Sequence, residues 1–293
     1  MIVRYQLSFP IPSGILDPYS LSVAADMNSS NPEETVHLNV AGAIATITLD
    51  RPHLRNALDR KTMKSLILVA LDVSDRDDVR AVVIAAEGAD FSVGADLKEV
   101  QGMESDGSLL RARRDAELGR KLLNSIREIH QPTVCALQGI ATGGGACIAA
   151  ACDFRIASDT TLYALPEQRI GQIPGSGGSI RLLHMIGMQR TKDMTFRSRR
   201  VSGKQAKEWG FILDCVPDEQ LEKETDKLVE ELKGFSPLAQ RTIKGVLNAA
   251  QNTTVEAGIE IEGNAYGRLR TSDDFAEGVA AFHEKRTAVF KGS

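Results

Sequence analysis

Hydrophobic and polar residues alternate over residues 36–49 on either side of Gly42, which predicts two short strands joined by a tight turn. The segment Arg51-Pro-His-Leu-Arg-Asn-Ala-Leu58 breaks the alternation. From Asp59 the period becomes helical. Met63, Leu66, Ile67, Ala70 and Leu71 recur on one face, with Asp59 as the candidate N-cap. Residues 79–86 read as a buried strand, closed by Glu87-Gly-Ala. A glycine turn follows in Phe91-Ser-Val-Gly-Ala-Asp-Leu-Lys98. Residues 106–129 predict a polar-rich helix with Leu110, Leu118, Leu122, Ile126 and Ile129 on a face. Residues 133–137 predict a strand that leads into Gly143, Gly144 and Gly145, and a segment of small residues, 146–151, opens a helix. Residues 153–157 predict another short strand. Strands thus alternate with helices, the signature of an α/β fold with parallel pairing. From Ser176 the pattern turns helical, with segments near 217–233, 236–249, 253–271 and 273–284. This predicts an all-helical C-terminal part at 206–293, packed on its own core or on a neighbouring subunit.

Composition narrows the field. At 293 residues, with 42% hydrophobic and 25% charged residues, the chain can bury a large core in one domain or in one domain with an appendage. The net charge of -4 and the single Trp argue against nucleic-acid binding, which favours a basic face or a stacking platform. No apolar run reaches the length of a membrane helix. Cys135, Cys147, Cys152 and Cys215 form no CxxC pair and read as reduced thiols of a cytoplasmic protein. The scattered histidines give no metal-site spacing. Residues 1–33, rich in Pro, Ser and Asn, lack the pattern of a secretory or mitochondrial leader and read as a loose extension, with Met27 as a second candidate start.

The triple glycine carries candidate chemistry. The first N–H groups of a helix have no intrahelical acceptor and bear partial positive charge, so a glycine turn there can hold a developing oxyanion. It can also simply let a helix and a strand pack. A lone carboxylate, Glu167, follows at a distance that permits it to fold back over the turn.

Four separated segments carry a resemblance. Leu49-Asp-Arg-Pro-His-Leu-Arg-Asn-Ala-Leu58 is similar to the "RPxxxNAL" segment of the crotonase superfamily, the enoyl-CoA hydratases and isomerases. Phe91-Ser-Val-Gly-Ala-Asp-Leu-Lys-Glu99 resembles its "FxxGADLKE" turn, and residues 139–153 its "GxxxGGGxxxAxxCD" turn. Phe282-His-Glu-Lys-Arg-Thr-Ala-Val-Phe-Lys-Gly292 resembles its C-terminal motif, with Ala288 where proline is usual. The resemblance implies a spiral of ββα turns at 34–205, a helical C-terminal trimerisation part at 206–293, and homotrimers or homohexamers. It implies a CoA thioester substrate and no separate bound cofactor. By motif position it assigns the N–H groups of Ala95 and Gly144 to the oxyanion hole and Glu167 to acid/base work. It places Arg55, Ala57, Lys98, Gly143 and Lys291 near the CoA or the substrate, Lys291 in some members across a subunit boundary. The basic residues among them can equally be solvated surface charges. Asp153 and Arg181 match the pattern but read as structural.

One position departs from the family pattern. Hydratases of the superfamily carry a first glutamate two residues after the triple glycine, and here Cys147 stands there. A single carboxylate suits water addition or elimination by Glu167 alone, including hydratase-lyase chemistry, or an α-to-γ proton shuttle that isomerises the double bond. The stretch Ile173-Pro-Gly-Ser-Gly-Gly-Ser-Ile-Arg-Leu182 resembles the hydratase branch more than the isomerases. Thioester hydrolysis and a catalytically silent acyl-CoA-binding scaffold are also compatible with the pattern. Cys147 has two readings. It is a spacer that makes room for the acyl group, or it is a thiol activated by the helix N-terminus.

Overall fold

The structure is a computed structural model that describes residues 34–103 and 109–293; the extension expected at 1–33 lies outside the described residues. Strand β1 (Val36–Ala41) turns at Gly42, with φ +61°, into antiparallel β2 (Ile44–Leu49). The chain continues through α1 (Arg60–Ser74), β3 (Ala81–Ala86), α2 (Leu97–Met103), α3 (Leu109–Arg127) and β4 (Thr133–Leu137). Next come β5 (Ile140–Thr142), α4 (Gly144–Ala151), β6 (Phe154–Ser158), β7 (Leu162–Ala164) and a 3-10 turn at Glu167–Ile170. After these lie α5 (Gly178–Phe196), β8 (Val201–Ser202), α6 (Gly203–Glu208), β9 (Asp214–Val216), α7 (Leu221–Lys233), α8 (Pro237–Ala250), α9 (Val255–Leu269) and α10 (Asp273–Glu284).

Six strands form the main sheet in the order β1-β2-β3-β4-β6-β9, parallel from β2 onward. A smaller sheet, β5-β7-β8, stands beside it. Period-two alternation explains why the central strands are apolar on both sides. Val82, Ile84, Cys135 and Leu137 face a core shared with α1, α3, α4 and α5. Ala81, Val83, Val134 and Ala136 face the opposite way, onto Leu221 and Val229 of α7.

Most elements lie where the pattern places them, and the differences have physical causes. Asp59 caps α1 by accepting from Thr62 N, as its position suggests. However, Leu66, Val69, Ala70 and Val73 are buried, whereas Leu71 is 53% exposed and Leu110 of α3 is 66% exposed. The core stripe is thus rotated from the expected faces, since periodicity alone does not say which neighbour a helix meets. The glycine turn does not follow β4 directly. The three-residue β5 intervenes, too short to show a period. The helical character expected for 206–293 is interrupted by β9, which extends the main sheet beside β6, and α7 covers that sheet's second face. The C-terminal stretch therefore supplies part of the central core.

Candidate active site

Two glycine turns from distant parts of the chain meet beside the small sheet. The first, at 92–95, is held by backbone ladders on both sides. Ser92 N donates to Ile140 O and Thr142 N donates to Ser92 O. Leu58 N donates to Gly94 O and Asp96 N to Leu58 O, a parallel bridge between Leu58 and Ala95. In such a bridge the neighbours of Ala95 make the bonds, and the N–H of Ala95 itself points away from Leu58. Buried Ser92 locks the turn from inside, donating to Asn56 O and accepting from Gly94 N.

The second turn starts α4. Gly143 sits at φ +54°, a conformation open to glycine at low cost, and its N–H donates to Ala164 O. The next N–H, of Gly144, is the first of the helix and has no intrahelical acceptor. The turns are close. A Cβ on Gly144 would stand 3.8 Å from Ala95 N, and one on Gly94 would stand 2.8 Å from Gly144 N. Two unspent backbone donors thus share one small space, which Val93, Ala95, Leu97, Gly143, Gly144, Pro166, Glu167, Arg169 and Ile170 enclose as a cavity of about 260 Å³.

Glu167 is the one carboxylate among the described residues of that lining. It begins the 3-10 turn after β7, and its Oε1 would lie 3.5 Å from a Cβ on Gly143. Its Oε2 is buried with no hydrogen-bond partner among the described residues. Burial pushes its carboxyl above the usual range, opposed by one backbone hydrogen bond. A carboxyl in that condition, next to two aimed donors, can take a proton from a substrate and return it while the donors hold a developing oxyanion.

The family model of enoyl-CoA hydratase/isomerase matches residues 39–293. The chain belongs to that family. It is 33% identical to an enoyl-CoA isomerase/hydratase of Mycosarcoma maydis, over 84% of this chain and 92% of that one. It is 30% identical to the crotonyl-CoA hydratase of Syntrophomonas wolfei, over 88% and 98% of the two chains. The crystal structure of an enoyl-CoA hydratase from Bacillus anthracis superposes with a TM-score of 0.84 at 31% identity, covering 89% of this chain and all of that one.

Within this family member the residues singled out from the sequence fall into two groups. Ala95, Gly143, Gly144 and Glu167 converge on one cavity. The others stand apart from its lining. Lys98 is exposed on the first turn of α2, next to Leu97 of the lining. Arg55 donates to Asp90 Oδ2 at 2.6 Å, an ion pair that raises the guanidinium pKa and lowers that of Asp90. Ala57 is buried, and its carbonyl accepts from Arg51. Lys291 borders a separate cavity with Arg76, Arg80 and Arg241. Asp153 ties Thr133 to Lys244, and Arg181 donates to Asn124, both structural roles.

Cys147 lies on α4, 3% exposed and outside the cavity lining. Its Sγ packs onto Gly178 so closely that a Cβ there would come within 2.1 Å. Burial, with a lesser contribution from the charge of Glu167, pushes the thiol up to about 12. The activated-thiol reading is therefore reversed. Desolvation outweighs any help from the helix N-terminus.

Several residues that shape the site had no role assigned from the sequence, where Arg51 and Asn56 stand out only as members of the "RPxxxNAL" segment. Asn56, at φ +55° and 2% exposed, bonds Arg51 N, Glu87 O and Asp90 O, and so fixes the loop beneath the first turn. Arg51 pairs with both Asp59 and Asp96. Arg169 and Ile170 face the cavity from the turn that carries Glu167. The C-terminal motif is anchored to α10 through its backbone and Arg286. Arg286 grips Glu277, whose carboxyl is pushed down to about 2, and Asp274 accepts from Lys291 N and Gly292 N, folding the tail back onto α10.

Proposed function

We propose that this enzyme of the enoyl-CoA hydratase type adds water to, or eliminates it from, a CoA thioester with Glu167 as its single acid/base. The observation that carries the reading is the placement of Glu167 Oε1 beside Gly143, facing the free N–H groups of Ala95 and Gly144 across a cavity with no other carboxylate among the described residues. In hydration, the thioester carbonyl oxygen accepts from both N–H groups. Water adds to C3 as Glu167 takes its proton, the C2–C3 π electrons move to form the enolate, and the same proton returns to C2 as the enolate collapses. No net proton is lost, so one carboxyl suffices. Cys147 leaves the acyl side uncharged and takes no part. Arg55, Lys98 and, from a neighbouring copy, Lys291 serve the CoA phosphates in this reading. Homotrimeric or homohexameric assembly fits the exposed Tyr266, Phe275, Val279 and Phe282 of α9 and α10. Cytoplasmic residence fits the four free cysteines.

A panel of CoA thioesters followed by mass spectrometry tests the proposal. Hydration adds the mass of water, isomerisation keeps the mass and moves the double bond, and hydrolysis releases CoA. Enoyl thioesters that gain no water in the presence of the enzyme would overturn the hydratase reading.

A further inference from the structure

Beyond the catalytic cavity lies a second one that the proposed reaction does not use. It is about 430 Å³ and is lined by Arg169, Arg197, Ser198, Arg199 and Arg200. Arg169 borders both cavities, on the turn that carries Glu167. In a chain of net charge -4, four guanidiniums around one space are a local concentration of positive charge that costs self-repulsion unless something answers it.

Within the chain the answer is incomplete. Asp193 accepts from Arg197 at 2.7 Å and from Arg199 at 2.5 Å, and those two hold its carboxyl below the usual range. Arg169 and Arg200 have no carboxylate partner among the described residues. The cluster is also rigidly built at one point. Arg199 bonds Gln205 and lies over the Trp209 ring, 5.4 Å from its centroid. Ser198, buried at φ +48°, holds a backbone conformation rare for a residue with a side chain. It turns the chain so that the two arginines flanking it reach the same carboxylate. Guanidiniums bind carboxylates and phosphates bidentately, so such a cluster is chemically suited to either anion.

We propose that Arg169 and Arg200, backed by Arg199, receive an anionic group at the far end of the acyl chain, so that the preferred substrates are CoA thioesters of dicarboxylic enoyl acids. This rests on the reading under Proposed function. There the thioester carbonyl accepts from Ala95 and Gly144, and Lys98 serves the CoA. Beyond that reading, the acyl chain runs past Glu167 towards Arg169, which lines both cavities. The same chemistry would hold a phosphate of CoA itself, and the test separates the two sources.

Calorimetry on the full chain with saturated thioesters compares glutaryl-CoA with pentanoyl-CoA and adipoyl-CoA with hexanoyl-CoA. At least one acid-terminated ligand is expected to bind about tenfold or more tightly than its neutral partner, the value of a hydrogen-bonded charge pair. Arg169→Met and Arg200→Met should each shrink that ratio. Equal affinity for acid and neutral partners would overturn the inference and leave the CoA reading standing. If neither class binds, the CoA reading falls and takes the inference with it. If the variants weaken acid and neutral ligands alike, and the loss disappears with 3'-dephospho-CoA thioesters, the anion is the CoA phosphate and the acyl-carboxylate assignment is wrong.

Discussion

The two walls of the catalytic cavity are built in opposite ways. The donor wall, Ala95 and Gly144, is pure backbone. It is pinned by bonds to Leu58, Ile140, Thr142 and Ala164, with buried Ser92 behind it. The acid wall is one 3-10 turn, Glu167–Ile170, whose side chains reach the cavity from a short and partly exposed segment; Ile170 is 58% exposed. Donors that act through backbone cannot be exchanged by point mutation without moving several segments. A side chain on a lone turn can be exchanged freely. The difference suggests that the donor wall sets the reaction class and the acid wall sets which proton moves and which acyl group fits.

The largest effect should come from the acid wall. Glu167→Gln keeps the shape and removes the titrating group, so turnover should fall about 10²–10⁴-fold, the contribution of a general acid–base residue. Steady-state rates on the best thioester of the panel check this, and a loss of only a few-fold would remove Glu167 from the chemistry.

Disturbing the donor wall should cost nearly as much. A Cβ on Gly94, at φ +87°, would stand 2.8 Å from both Gly144 N and Thr142 O. Gly94→Ala should therefore displace a donor and lower kcat by about 10²–10³-fold. Its effect should exceed that of Arg169→Met on a neutral thioester; the reverse order would contradict the division of labour between the walls.

Smaller is the effect of packing behind α4. Gly178→Ala forces a methyl against Cys147 Sγ and should destabilise the fold by about 1–3 kcal/mol, as overpacking does. Cys147→Ala alone should leave turnover within a factor of a few. In the double variant it should recover part of the Gly178→Ala loss, because the two side chains compete for one space. Denaturant melts of the three variants measure the coupling. A folded but inactive Cys147→Ala would restore the thiol to the mechanism.

The mildest signature is in pH. Hydration needs ionised Glu167, so the acid limb of kcat/KM should lie above the ordinary glutamate pKa of about 4.3. The folded chain holds that proton more tightly than the unfolded chain. Stability should therefore fall as pH rises from the ordinary glutamate pKa through the raised one, and stay lower above it. Glu167→Gln should accordingly melt above wild type at pH 8, with the gap closing as pH drops through that window. A gap that is independent of pH would show that Glu167 titrates normally.

Much of this molecule was determined by local sequence. The alternation at 36–49, the Asp59 cap and the helices α7 to α10 follow from period and capping, which neighbouring residues carry in themselves. The triple glycine and Glu167 were visible as candidates for the same reason, being unusual residue types at a recognisable spacing. Tertiary structure alone decided which groups meet. Nothing near Cys147 in sequence shows that Gly178 packs onto its thiol or that burial raises its pKa. No local pattern announces that β9 closes the main sheet, that Asn56 fixes the loop at 87–90, or that Arg169 stands between two cavities. Burial, electrostatics and long-range hydrogen bonds depend on segments tens of residues apart, and a short window of sequence holds only one side of each contact.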